Sequence, residues 1–195
     1  MRIRPLPHSM ILVSTPEGHL NDVGGYDYEP ERFSRIVAMN ALLTDGEIEL
    51  SDTWYGFKNM VVNTDEFDIP QLINGACVNE LTDEAREGYD APFGSEEEKA
   101  GAYAWPPMVP QNPEMEGADV HAQLMGDLAE YEKPFFALFS DSDPVTEKYR
   151  DILRDVVPTA SEEPDIWVEG AGHFIQEDAG EECADRIVEF VDRNS

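Results

Sequence analysis

Two apolar runs, Phe135–Phe139 and Ile166–Val168, constrain this chain most, because a turn carrying an ionisable group follows each of them. Uninterrupted apolar runs bounded by turn residues suit strands buried on both faces of a parallel sheet. Asp141 and Asp143 follow the first run, and His173 follows the second. In an open α/β sheet, ligands and chemistry collect beyond the carboxyl ends of the strands. A carboxylate and a histidine delivered to neighbouring strand ends make the acid–histidine half of a hydrolytic triad. The stretch from Lys133 to Phe174 is therefore the expected catalytic centre.

His173 lies in the run Gly170-Ala171-Gly172-His173-Phe174. The glycines allow a tight turn after a strand, and Phe174 and Ile175 can wedge that turn against the core. A histidine held in this way keeps a carboxylate on one ring nitrogen and water on the other, as a general base requires. A purely structural histidine is the plainer reading of a lone His. An acid one strand–helix unit upstream favours catalysis. Asp143 is preferred to Asp141 as the orienting acid, although Asp143-Pro144 also suits a simple helix cap.

The nucleophile is less plain. No G-x-S-x-G elbow occurs, which removes the ordinary serine esterase. The one elbow-like run is Asn21-Asp22-Val23-Gly24-Gly25, with Asp22 where a serine would sit. A carboxylate nucleophile attacks carbon and leaves an ester, which histidine-activated water then cleaves. Pro16-Glu17-Gly18 before the run and Pro30 after it leave little room for the strand and helix of an elbow. An aspartate in an ordinary glycine turn stands as the equal alternative.

The remaining pattern is α/β. Met10–Ser14 and Arg35–Asn40 read as strands, and the block from Ala41 to about Asp127 reads as irregular helices broken by prolines. Within it, Trp54, Tyr55, Phe57 and Met60 recur at helical spacing, first of all as a packed stripe. Thr82 is placed to cap a helix, and a helix from Ser95 is expected to stop at Pro106. The last third alternates: strand Phe135–Phe139, helix Val145–Val156, strand Asp165–Val168, helix Asp178–Arg193. The expected organisation is a partial N-terminal core (1–41), a helical cap (42–130) and a C-terminal core segment (131–195) of one parallel-sheet domain.

Composition narrows the partners. The chain of 195 residues holds 42 acidic and 13 basic residues, a formal net charge of −29. That surface excludes binding to nucleic acid phosphates and reads as adaptation to a salt-rich cytoplasm of the haloarchaeal kind, where ions screen self-repulsion. The two cysteines, Cys77 and Cys183, have no metal-like spacing. The apolar run near the start is too short to span a membrane, so a soluble cytoplasmic protein is expected. The state of association is left open.

Leu81–Pro110, Lys133–Thr146 (KPFFALFSDSDPVT) and Gly170–Asp178 (GAGHFIQED) resemble the haloalkane dehalogenases, which have the α/β-hydrolase fold. The YDAPF and AGHFxQED runs are the specific ones. The resemblance implies His173 as base, Asp143 as its orienting acid and Asp22 as the nucleophile that displaces halide from a small haloalkane. It implies no metal or organic cofactor, and as products an alcohol, a halide ion and a proton. Trp105 falls where an aromatic lines the family's pocket. The family holds the halide with two N–H donors, commonly a tryptophan just after the nucleophile and, in the branch this chain resembles, a second donor in the cap. Those positions are Val23 and Phe57 here, unless the nearby Trp54 substitutes for Phe57. Such preorganised donors are worth about 2.7–4 kcal/mol each in related sites. The family's first strands have no counterpart, which implies an N-terminally truncated sheet with an exposed edge. Hydrolysis of an epoxide or another small electrophile, or an inactive remnant, are the alternatives.

Overall fold

The structure, a computed structural model, describes Met10–Ile11, residues 33–66 and residues 68–195. Four strands form one sheet in the order β1 (Met10–Ile11), β2 (Ile36–Met39), β3 (Phe135–Ser140), β4 (Trp167–Val168). β2, β3 and β4 run parallel, with Ile36 opposite Phe135 and Ser140 opposite Val168, while β1 pairs antiparallel to β2 at the edge.

β3 is buried along its whole length, which explains its unbroken apolar run. Successive side chains point to opposite faces of the sheet. Phe135, Ala137 and Phe139 therefore meet Trp54, Leu128, Tyr149 and Leu153 on one face. Phe136 and Leu138 meet Ile175, Cys183 and Phe190 on the other, with Phe136 and Phe190 stacked 5.5 Å apart. Fully burying each such phenyl ring contributes about 1.5–3 kcal/mol.

Five helices separate β2 from β3: α1 (Asp52–Val62), α2 (Ile69–Gly75), α3 (Asp83–Asp90), α4 (Ala100–Met108) and α5 (Ala118–Ala129). Ser51, Asp68 and Thr82 cap the first three with side-chain oxygens, accepting from Trp54, Gln71 and Ala85 N–H. Val61, Ile69, Ile73 and Leu81 give this block a small core of its own. After β3 come α6 (Glu147–Val156) and, after β4, α7 (Ile175–Arg193).

Three local expectations need correction. α4 follows a 3₁₀ turn and runs through Pro106 and Pro107 to Met108. Both prolines sit in its last turn, where their fixed φ suits a helix and two donors are lost, and Pro106 is buried. β4 is shorter than expected because the Arg150 guanidinium pairs with Asp165, donates to Ile166 O and stacks 4.3 Å over the Trp167 ring. Of these, the bond to Ile166 O occupies a backbone acceptor that a strand partner would otherwise use. The last helix starts at Ile175, ahead of Asp178, and breaks at Ala179, whose φ/ψ of −143°/39° is not helical.

Candidate active site

The turns after β3 and β4 run side by side because the parallel pairing continues beyond the strands. Asp141 N–H donates to Val168 O (3.1 Å), and Ser142 N–H donates to Ala171 O (3.1 Å). Asp143 and His173 follow directly. His173 Nδ1 lies 3.0 Å from Asp143 Oδ2, with the histidine side chain 17% exposed and the aspartate fully buried. The β4 turn needs both of its glycines. Gly170 has φ +70°, and a Cβ on Gly172 would lie 2.4 Å from Ala76 O.

Asp143 is held on every side. Its Oδ1 accepts from Val145 N–H at 2.9 Å, and its Oδ2 accepts from the Thr146 hydroxyl as well as facing His173. Burial alone raises the pKa of this carboxyl, but the His173 hydrogen bond and charge, with Thr146 and Val145 adding to them, outweigh it and hold the pKa below the ordinary value. The aspartate therefore stays ionised, the state that orients an imidazole. Asp141, the other candidate, accepts from Gly170 N–H (2.8 Å) and the Ser142 hydroxyl instead, bracing the turn.

His173 opens onto a cavity of about 770 Å³ between the sheet rim and the helical block. Trp54, Phe57, Phe93, Trp105 and Phe174 are among its walls. Trp54, Phe57 and Trp105, singled out from the sequence, thus share one cavity with His173. Trp54 is 1% exposed, and its indole Nε1 has no hydrogen-bond partner among the described residues. A buried donor left unpaired is costly. Asp22 and Val23 lie outside the described residues. Among the described residues no cluster of three or more His, Cys, Asp or Glu side chains is arranged to hold a metal, and no helix is long and apolar enough to cross a membrane.

Residues that sequence reasoning passed over hold the histidine turn. Asp178 accepts from Gly172 N–H (2.8 Å), Val78 N–H (2.8 Å) and Asn79 N–H (2.7 Å). It thereby clamps the segment after α2 onto the turn, and its carboxyl, raised by burial but lowered further by these donors, has a depressed pKa. Ala76 O accepts the His173 N–H at 2.8 Å. Asn40, read only as the last residue of a strand, bonds to both Gly172 O and His173 O. A polar residue ending an apolar strand, and an acid inside the GAGHFIQED run, were the available signals.

No protein-family model matches the chain. It is 32% identical over 165 residues to a haloalkane dehalogenase of Psychrobacter cryohalolentis, a match covering 85% of this chain and 54% of that protein. A haloalkane dehalogenase of Mycolicibacterium paratuberculosis is 30% identical over 162 residues, covering 83% and 54%. Among solved structures, the tetrameric haloalkane dehalogenase DpaA from Paraglaciecola agarilytica superposes with a TM-score of 0.72 at 23% identity, over 80% of this chain and 52% of that one. The chain thus spans about half the length of the curated relatives it matches. Its fold is that of the α/β-hydrolases, and in sequence it is similar to the haloalkane dehalogenases.

Proposed function

We propose that this chain is a hydrolase of the haloalkane dehalogenase type, acting on carbon–halogen bonds of small apolar haloalkanes. The observation that carries the reading is the 3.0 Å contact between His173 and a buried Asp143 at the edge of an apolar cavity. In the proposed reaction the Asp22 carboxylate displaces halide from carbon, forming an alkyl ester. His173 then takes a proton from water, and the hydroxide attacks the ester carbonyl. Collapse of that adduct releases the alcohol and regenerates Asp22. Asp143 fixes the imidazole tautomer and stabilises the imidazolium as it forms.

The walls suit this substrate class, since aromatic rings exclude water and favour uncharged alkyl groups. Trp54 stands as the halide donor in place of Phe57, because its buried indole N–H is unpartnered whereas a phenyl ring has no donor. The helices between β2 and β3 serve as the cap over the site, within the boundaries 42–130. The acidic surface is proposed to match a salt-rich cytoplasm, so assays belong in molar potassium chloride.

Bromide release from 1,2-dibromoethane and 1-bromobutane, compared among wild type, Asp22→Asn and His173→Ala, tests the reading. The expected result is turnover by the wild type and its loss in both variants. Bromide release that survives Asp22→Asn removes Asp22 as nucleophile. Turnover of epoxides without bromide release transfers the site to another small electrophile.

A further inference from the structure

We infer that Asn40 is a positioning residue for His173, an inference that rests on the reading of His173 as the base. Asn40 directly follows β2 with φ 39°, the one non-glycine residue at positive φ among the described residues. Asparagine tolerates that left-handed region better than most side chains. The conformation turns its carboxamide across the carboxyl ends of three strands, where it is completely buried.

Every polar atom of that carboxamide is used. The two N–H bonds of Nδ2 are shared among three acceptors, Gly172 O (2.9 Å), His173 O (3.0 Å) and Ser140 Oγ (2.8 Å). Oδ1 accepts from Ser140 N–H at 3.0 Å, and Ser140 Oγ–H donates on to Gly172 O at 2.8 Å. The carbonyls on both sides of the His173 α-carbon are therefore tied to β2, while its N–H is tied to Ala76 O. Asp143 is anchored separately, through Val145 and Thr146. The 3.0 Å contact between imidazole and carboxylate is thus set by two anchorages, and Asn40 supplies the one beneath the histidine. It does not touch the imidazole by any of these bonds. It acts through the backbone that aims the ring, and a misplacement of about 1 Å at a reacting group costs about 10²-fold in rate.

The test uses Asn40→Gly, which keeps the left-handed backbone at no steric cost and deletes only the carboxamide. Asn40→Ser, which retains a short polar group unable to span both carbonyls, is measured in parallel and carries the same expectation should the glycine variant fail to fold. Two readouts apply at a temperature where circular dichroism shows each protein folded. The first is the Nδ1–H proton resonance of His173, assigned by its disappearance in His173→Gln. It is expected to be downfield and slow to exchange in the wild type, and to move upfield and exchange at least about tenfold faster in the variants. The second is bromide release, with kcat expected to fall about 10–10²-fold while KM changes by less than about threefold. A folded variant that keeps both the proton signal and wild-type kcat overturns the inference and leaves Asn40 a structural residue. If the wild type itself releases no bromide, the proposed activity falls while the proton signal still decides the role of Asn40.

Discussion

The rim that carries Asp143 and His173 and the helical wall that faces it across the cavity are held by different forces. The rim is a ladder of short polar bonds. Asp141 and Ser142 N–H reach across to the β4 turn, and Asn40, Ala76 and Asp178 hold that turn from three directions. The wall is held by apolar packing, with Trp54 in the main core and Phe57 in the block's own core. Among the described residues a polar bond joins the acid's loop to the N-cap of α1: the Ser51 hydroxyl donates to Val145 O at 3.2 Å. Chemistry needs a geometry fixed to a fraction of an ångström, and directional bonds give it. A cavity for alkyl groups needs only volume and dryness, which packing provides.

Substitutions at the rim and the wall should therefore fail differently. Asp143→Asn removes the ionised partner of His173 while keeping its shape. Bromide release should fall about 10²–10⁴-fold, with a melting temperature that changes far less than activity. Phe139→Ala, deep in the sheet below both regions, should do the reverse, costing about 3–5 kcal/mol in chemical denaturation. Trp54→Phe tests the wall at its one polar point. Deleting the indole N–H should lower kcat/KM for bromoalkanes about 10–10²-fold, while stability holds or rises because an unpaired buried donor is gone. If Trp54→Phe leaves kcat/KM unchanged, the wall contributes shape alone.

Acid separates the regions by a smaller margin. The carboxyls of Asp143 and Asp178 both titrate below the ordinary aspartate value in the folded chain. The stability they add is complete above about pH 4, the ordinary value, and is lost as pH falls through their folded pKa values. Melting curves from pH 7 to pH 3 should show Asp178→Asn less stable than wild type at neutral pH, by up to about 1 kcal/mol for a group only partly buried. The gap should begin to narrow below about pH 4 and keep narrowing as pH falls towards the folded pKa of Asp178. A gap that persists at low pH would mean that the clamp acts through packing.

The same division explains how much was readable from the sequence. β3 announces itself because both of its faces are buried, and the acid and histidine follow directly upon their strands. Local order is enough to find them. The aromatic wall was legible as residues and obscure as a surface. Helical spacing places Trp54 and Phe57 on α1 but does not say that both line one cavity with His173, or that the buried indole N–H of Trp54 has no partner among the described residues. Asn40 and Asp178 escaped notice because each reaches across the fold, Asn40 to Gly172 O 132 residues away and Asp178 to Asn79 N–H 99 residues away. Pro106 misled because a proline past the first turn cannot donate to the carbonyl four residues back and usually ends a helix, yet α4 continues through Pro106 and Pro107 to Met108.

The most direct measurement of the central claim is the fate of the ester when His173 is removed. A base needed only for hydrolysis leaves the first displacement intact. Incubated with 1-bromobutane in molar potassium chloride, His173→Gln should release about one equivalent of bromide per chain and then stop. Mass spectrometry should then find one butyl group on the peptide containing Asp22. Sustained turnover by His173→Gln at the wild-type rate, or bromide release with no adduct on Asp22, would contradict the account.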